Sequence, residues 1–172
     1  PDALGPLVIK NLFVTRHLTG WKEIEGCPVV AALAPGVMAQ TGMETGEIVE
    51  GIVKKIHPDA LVVIDALAAK SSERLNRTIQ ISNTGISPGS GVGNHRNEIT
   101  ENTMGIPVVA IGVPTVISIP SLACDIMESF CNSQGEGMKN IFTSWPEGEK
   151  YRFLEKILDK KLRNLFVTPK EI

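Results

Sequence analysis

Hydrophobic residues change their spacing from segment to segment along this chain, and the spacing predicts alternating strands and helices. Leu61, Val62, Val63 and Ile64 form an apolar run without polar alternation. Such a run is typical of a strand buried on both faces at the centre of a parallel sheet. Shorter apolar runs predict two further buried strands, and an alternating pair of isoleucines predicts a half-exposed one. These three segments are Val29–Leu33, Pro107–Ile111 and the strand around Ile79 and Ile81.

Apolar residues three or four positions apart predict amphipathic helices between these strands. The last helix is preceded by a Gly- and Ser-bearing segment, Asn132–Pro146, which we interpret as a mobile linker. The alternation of helices and strands predicts a three-layer α/β domain with a mainly parallel sheet. The predicted helices begin at Asp2 or Pro6 and at Thr41, and cover Ala66–Asn76, Ser121–Phe130 with an apolar stripe of Leu122, Ile126 and Phe130, and Glu147–Leu162.

The length and composition of the chain fit a single soluble domain covering residues 1–172. The net charge of −2 gives no sign of a nucleic-acid-binding face, and no apolar run is long enough to span a bilayer. The cysteines form an odd, scattered set, which favours reduced thiols in a cytosolic compartment. Cys124 and Cys131 lie two turns apart on a predicted helix, so we expect both to pack in the core.

Asp65 directly follows the predicted central strand and is the first candidate for chemistry. In open α/β sheets, ligands bind beyond the carboxyl ends of the strands, where this carboxylate is expected. A second interpretation is that Asp65 caps the helix predicted from Ala66, because Asp is a favoured N-cap residue. The two roles are compatible, since a capping carboxylate keeps one oxygen for a ligand.

Asp2 stands in the same local pattern as Asp65, because each aspartate immediately precedes Ala-Leu at a predicted element boundary. Two neighbouring carboxylates can share one proton, since repulsion between like charges raises one of the two pKa values. One group then acts as base on a water and the other as acid on a leaving group. The alternative is a pair of unrelated helix caps, because Asp-Ala-Leu is a short and common tripeptide.

A glycine-dense loop from Gly85 to Asn94 is the second candidate feature. Its glycines fit neither the dinucleotide-binding GxGxxG spacing nor a P-loop, so nucleotide binding is disfavoured. Backbone amides in such a loop can lie beside a substrate backbone or an oxyanion, and the alternative is a flexible surface turn. The residues that we assign to substrate binding are Gly89, Ser90, Gly91 and Asn94.

The three histidines, His17, His57 and His95, have no metal-ligand spacing, and no paired Cys/His set exists. We therefore expect no metal and no cofactor. His57, at the end of a predicted helix, is interpreted as a partner of the helix dipole.

Long stretches of the chain closely resemble the spore germination protease family of endospore-forming bacteria. The resemblance runs from Pro1 to about Val116 and returns at Asn164–Glu171. It is carried by PDALGPLVIKNLFVTRHL, APGVMAQTGMETGEIVEGIVKKIHPDALVVIDALAA, SSERLNRTIQISNTGISPGSGVGNHR and GIPVVAIGVPTV.

This resemblance implies an atypical aspartic endopeptidase that degrades small acid-soluble spore proteins when a spore germinates. It further implies a zymogen made during sporulation, a homotetramer, and a location in the cytoplasm of the forespore or spore core, with no direct contact to nucleic acid or membrane. The catalytic aspartates of the family fall on Asp2 and Asp65. The implied fold is the phosphorylase/hydrolase-like α/β fold that hydrogenase-maturation proteases share.

Because the chain begins at the first catalytic position without an initiator Met, we expect a fragment that lacks the N-terminal part of the family protein. Two functions therefore stay open, an active endopeptidase and a catalytically incomplete module that binds substrate or assembles. A third hypothesis, from fold analogy alone, is a maturation protease whose carboxylates meet a metal in the partner protein.

Overall fold

The computed structural model describes residues 4–21, 24–36, 41–88, 97–134, 142 and 144–169, which form an α/β structure with a mixed open sheet. Hydrogen bonds order the described strands β1–β3–β2, and β4 pairs antiparallel with β3. The elements are α1 (Leu4–Asn11), α2 (Thr45–Ile56), β1 (Leu61–Ala69), a 3-10 turn (Ser72–Arg74), β2 (Gln80–Ser82), α3 (Glu101–Met104), β3 (Val108–Ser118), α4 (Ile119–Ser133), α5 (Glu147–Ile157), α6 (Lys160–Arg163) and β4 (Phe166–Val167).

The chain divides into two compact units. Within the described residues, the Asp65 unit comprises those up to Asp65 and those from Ile81 to Ile111, and the C-terminal unit comprises Ala66–Gln80 and those from Gly112 onward. The core of the Asp65 unit joins α2, α3 and the first halves of β1 and β3. Its buried members are Val53, Ile99, Met104 and Val108, with Val49, Leu61, Val63, Ile86 and Ile106 packed against them.

The C-terminal unit packs α4 against α5 around a second apolar cluster. The buried members of this cluster are Cys131, Phe142 and Leu154, and Ala123, Cys124, Met127 and Leu158 pack against them. The predicted packing of both helix cysteines is thereby confirmed. Burial, together with the carboxylates of Glu128 and Asp125, raises the pKa of the Cys124 thiol, so this side chain stays a protonated packing group.

Several predicted elements are confirmed. Helix α2 is amphipathic, as predicted, and it carries Lys54 and Lys55 in its last turn. It ends at His57, which adopts a left-handed conformation with φ 47°. Its N-terminus carries a capping box between Glu44 and Glu47, three residues apart. The strand predicted around Ile79 and Ile81 appears as β2, but neither isoleucine is buried, since Ile79 is 69% and Ile81, within the strand, 70% exposed.

Strand β1 differs from its prediction at its C-terminal end and in its burial. It continues to Ala69, so the helix predicted over Ala66–Asn76 is wrong. Leu67 lies against Gly112 of β3 so closely that a Cβ atom on this glycine would lie 2.1 Å from Leu67 Cδ1. Pairing with β3 therefore overrides the local helix propensity. Burial on both faces is also wrong, because Val62 is 57% exposed, and among the described strands β3 rather than β1 has neighbours on both sides.

The buried strand predicted over Val29–Leu33 is not formed. Both end residues are about half exposed, and the segment is extended without ladder pairing. It is held at one point by the buried Thr15, whose hydroxyl accepts from the Val30 N–H at 2.8 Å and donates to the Pro28 carbonyl at 3.0 Å. The Thr15 and Arg16 N–H groups also donate to the Val30 carbonyl, at 2.9 and 3.0 Å. These contacts are confined to Pro28 and Val30, so they do not form the row of backbone hydrogen bonds that a strand needs.

Three predictions about the C-terminal part of the chain are corrected. The stripe predicted to be the apolar face of α4 is uncovered, since Ile126 is 60% and Phe130 54% exposed. The helix predicted over Glu147–Leu162 is split, because the Asp159 carboxylate accepts from the Lys161 N–H at 2.9 Å and caps a new helix, α6. The segment interpreted as a linker contributes Phe142, 5% exposed, to the core.

Lys150 of α5 is buried and stabilises the C-terminal unit through its ion pair with Glu128 of α4. The Nζ–Oε1 distance is 2.5 Å, and the side chains are 8% and 39% exposed. The Glu128→Ala change is expected to reduce the free energy of unfolding by about 1–3 kcal/mol, because the buried Lys150 ammonium loses its carboxylate partner. The loss is moderate, since Glu128 itself is partly exposed to solvent. Urea unfolding measures this loss.

The matched control for this ion pair is Glu50→Ala, which breaks the exposed pair between Glu50 and Lys54 on α2. This change is expected to cost less than about 0.5 kcal/mol. Equal losses in the two variants would contradict a special role for the buried ammonium.

Candidate active site

Asp65, partly buried, lies within β1, and the strand continues past it to Ala69. The expectation that it stands at a strand end or caps a helix is therefore wrong. Side chains alternate along a strand, so Asp65 shares a face with Leu61 and Val63, which pack against the core of the Asp65 unit. A carboxylate on that face is held by the sheet backbone, and it can accept a proton from a ligand or return one.

The other predicted site residues lie outside the described residues. These are Asp2, the proposed partner of Asp65, and the four substrate-binding candidates, Gly89, Ser90, Gly91 and Asn94. The pairing of the two aspartates accordingly stays a prediction.

The structure describes the start of the glycine-dense loop and a segment after its end, and we call Gly85–Ser87 the first leg and Asn97–Ile99 the second leg. Ile86 and Ile99 form an antiparallel bridge with reciprocal backbone hydrogen bonds of 3.0 and 2.8 Å. Next to the bridge in the sequence, the Ser87 hydroxyl donates to Glu98 Oε1 at 3.0 Å. Because Ile99 is fully buried, the bridge anchors both legs to the core of the Asp65 unit.

Glu44 connects the second leg to the N-terminus of α2. Its Oε2 atom accepts from the Asn97 backbone N–H at 3.1 Å, across 53 positions of sequence. Sequence reasoning missed this contact. The spacing of Glu44 and Glu47 before an apolar helix is a signal for a capping box, but it carries no information about a distant partner.

The described histidines have roles separate from that of Asp65. His57 is exposed and ends α2, as expected, and His17 is exposed, whereas His95 is outside the described residues. Among the residues that the structure describes, no group of three or more His, Cys, Asp or Glu side chains could hold a metal ion. Within the same ranges, no helix is long and apolar enough to cross a membrane.

The fold and the site together define an α/β protein with a candidate acid–base carboxylate on its sheet. A family model described as germination protease matches residues 1–143, and the chain belongs to the germination protease family. Members of this family are peptidases, as their name states.

Curated proteins named germination protease are similar over nearly the whole chain. The relative from Clostridium perfringens (strain ATCC 13124) is 47% identical over 184 residues, which cover 100% of this chain and 56% of the relative. The relative from Caldanaerobacter subterraneus subsp. tengcongensis is 48% identical over 181 residues, with coverage of 100% and 56%. The relative from Bacillus cereus (strain B4264) is 48% identical over 179 residues, with coverage of 97% and 49%. The chain spans about half the length of the curated relatives it matches.

Proposed function

We propose that this chain belongs to an endopeptidase that initiates the degradation of small acid-soluble spore proteins during spore germination. The observation that carries the proposal is the match to the germination protease family over residues 1–143. The position of Asp65 supports it, because this partly buried carboxylate stands on a strand, and a rigid element holds a catalytic group more precisely than a loop does.

In the proposed mechanism, Asp2 and Asp65 share the work of an aspartic peptidase. One carboxylate removes a proton from the water that attacks the peptide carbonyl, and the protonated partner delivers a proton to the leaving nitrogen. The loop residues Gly89, Ser90 and Gly91, together with Asn94, are proposed to line the cleft and hold the substrate backbone. The mechanism requires neither a metal nor a cofactor.

The resemblance to the family supports a wider proposal for the whole protein. It comprises a three-layer, mainly parallel, phosphorylase/hydrolase-like fold, synthesis as a zymogen during sporulation, and assembly as a homotetramer. Its place is the cytoplasm of the forespore or spore core, and its partners are protein substrates rather than nucleic acid or membrane.

The test is incubation of the protein with a purified small acid-soluble spore protein, with the products read by mass spectrometry. Discrete cleavage products that persist in the presence of a chelator are expected. Cleavage that stops on chelation would contradict the carboxylate mechanism and favour a metal-dependent one.

A further inference from the structure

We propose that the exposed side of α5 binds an amphipathic helix of a partner protein, one that carries carboxylates beside its apolar side chains. The binding surface lies entirely within the C-terminal unit and outside residues 1–143, which the family model matches. Binding there is independent of the proposed peptidase activity. We call this area the α5 surface, and it is formed by Trp145, Arg152, Phe153, Lys156 and Ile157.

Helix α5 is held to its unit by one side. Leu154 is 2% exposed in the second apolar cluster, and Lys150, one turn earlier, is buried against Glu128 of α4. Successive residues of a helix are about 100° apart, so Arg152 and Lys156, two positions to either side of Leu154, lie nearly opposite this anchored side. The packing thus fixes the helix and leaves the α5 surface on its outer side.

An apolar row runs along the flank of α5, between the anchored side and the cations. Phe153 is 37% and Ile157 59% exposed, and side chains four positions apart on a helix are neighbours. Trp145 extends the row, because its ring meets the Phe153 ring edge-to-face with the centroids 5.5 Å apart and is itself part of a 37% exposed residue. The row therefore offers large apolar side chains over a length of roughly two helical turns.

A row of cations lies beside the apolar row. Arg152 and Lys156 are exposed, one turn apart, and each directly precedes a member of the apolar row. The short helix α6 begins three residues after α5 ends, a distance of at most about 11 Å, which is close to the Debye length of about 10 Å at 0.1 M salt. Its charges therefore add to the positive potential at the end of α5. The exposed cations of α6 are Lys160, Lys161 and Arg163.

The protein itself does not neutralise this positive charge. Among the described residues, none of these five cations forms an ion pair, whereas Lys54 of α2 and the buried Lys150 do. Residues 149–163 contain three carboxylates, but Asp159 is occupied as the cap of α6 and Glu155 is half-buried. Glu149, at the N-terminal end of α5, is the exposed exception. Carboxylates of a partner can match the remaining positive charge, and this charge complementarity defines the kind of partner.

The spacing of the two rows favours a helix as the partner. Both rows follow the i, i+4 spacing, which generates the ridges and grooves through which helices pack. A partner helix with the same spacing places its apolar row on Phe153 and Ile157 and its carboxylates near Arg152 and Lys156.

Two other kinds of partner fit this surface less well. A helix that lies in a membrane surface inserts its broad apolar side, but the broad apolar side of α5 is already packed in the core around Leu154. Single-stranded nucleic acid stacks its bases on free aromatic faces, whereas the Trp145 and Phe153 rings pack on each other. An acidic amphipathic helix uses both rows at once.

The test uses a synthetic peptide of about eighteen residues, a length at which an isolated helix forms in water, with leucines three or four positions apart and glutamates beside them. A counterpart peptide has lysine in place of every glutamate and keeps the leucines. Isothermal titration calorimetry at about 0.1 M salt is expected to show that the acidic peptide binds the protein at least about tenfold more tightly than the basic one. Higher salt should weaken this binding, since exposed charges are screened.

Two variants locate the binding, and each has a matched control on another helix. Lys156→Glu is expected to weaken binding of the acidic peptide about tenfold, while Lys55→Glu, the same change in the last turn of α2, should not alter it. Ile157→Ala is expected to weaken binding about fivefold, and its control is Ile126→Ala on α4, since these isoleucines are 59% and 60% exposed. All four positions are exposed, so each variant is expected to stay folded, as thermal unfolding will show.

Several results would overturn the proposal. Failure of the acidic peptide to bind, or equal binding of the acidic and basic peptides, would exclude the proposed partner. Equal effects of Lys156→Glu and Lys55→Glu would place the binding elsewhere on the protein. Tighter binding of a single-stranded oligonucleotide or of phosphatidylserine vesicles would assign the surface to nucleic acid or membrane. Self-association in analytical ultracentrifugation that Lys156→Glu abolishes would assign it to a second copy of this chain.

Discussion

Substitution of Asn for Asp65 is expected to abolish cleavage of the spore-protein substrate while the fold stays in place. Asparagine has nearly the same shape as aspartate, but it can neither accept a proton from water nor return one to a leaving group. Loss of a general acid or base costs about 10²–10⁴-fold in rate, so turnover should fall below detection in an ordinary assay. The measurement is kcat by mass spectrometry of the products, accompanied by thermal unfolding of each variant.

The matched control for Asp65 is Asp59→Asn. Asp59 is an exposed carboxylate just before β1, so the substitution makes the same change of charge in the same part of the chain. This variant should cleave at the wild-type rate, and Asp2→Asn should be as inactive as Asp65→Asn. Normal turnover by Asp65→Asn would disprove the aspartate mechanism, whatever the other variants do.

Local sequence signals were sufficient for elements whose stability is mostly local. Helix α2 combines an apolar stripe, a capping box at its start and Pro58 after its end, and all of these features favour one structure. The alternation of polar and apolar residues predicted the position of strand β2, but not its burial, because Ile79 and Ile81 are 69% and 70% exposed. For helix α2, the sequence pattern already contains the interactions that stabilise the element.

Elements decided by distant contacts could not be predicted in this way. Ala66 to Ala69 have a strong helix propensity, yet they extend β1, where Leu67 meets Gly112 of β3. An apolar run such as Val29–Leu33 predicts a strand, but a strand also needs a backbone partner. In the described structure, the hydrogen bonds that Thr15 and Arg16 make to this segment reach only Pro28 and Val30, so no ladder of backbone pairs forms.

The candidate site, too, was predicted from the sequence only in part. Asp65 was identified from its tripeptide and from a family resemblance, while its true position inside a strand required the structure. The contact between Glu44 and Asn97 joins residues 53 positions apart, and no local pattern in one sequence marks such a pair. Contacts between residues far apart in the sequence are therefore harder to predict than single residues whose chemistry can be recognised.

The second large effect is expected from Gly85→Ala, at the start of the first leg. Gly85 has φ +83°, and a Cβ atom there would lie 2.2 Å from the Ile99 carbonyl oxygen and 2.8 Å from Thr100 Cα. Both of these atoms belong to backbone, and Ile99 is fully buried, so the second leg cannot move aside cheaply. We expect a loss of about 3–5 kcal/mol in the free energy of unfolding, measured with urea, because backbone strain and a core displacement add.

Gly105→Ala is the control that separates the two causes of this loss. Gly105 ends α3 with φ +71°, close to the value at Gly85, but a Cβ atom there would meet nothing within 4 Å. This variant bears only the conformational cost of a left-handed alanine, about 1–2 kcal/mol. The difference between the two variants measures the steric contact that keeps the legs together. Equal losses would show that the backbone conformation alone, and not the close approach of Gly85 to Ile99, determines the stability of the loop base.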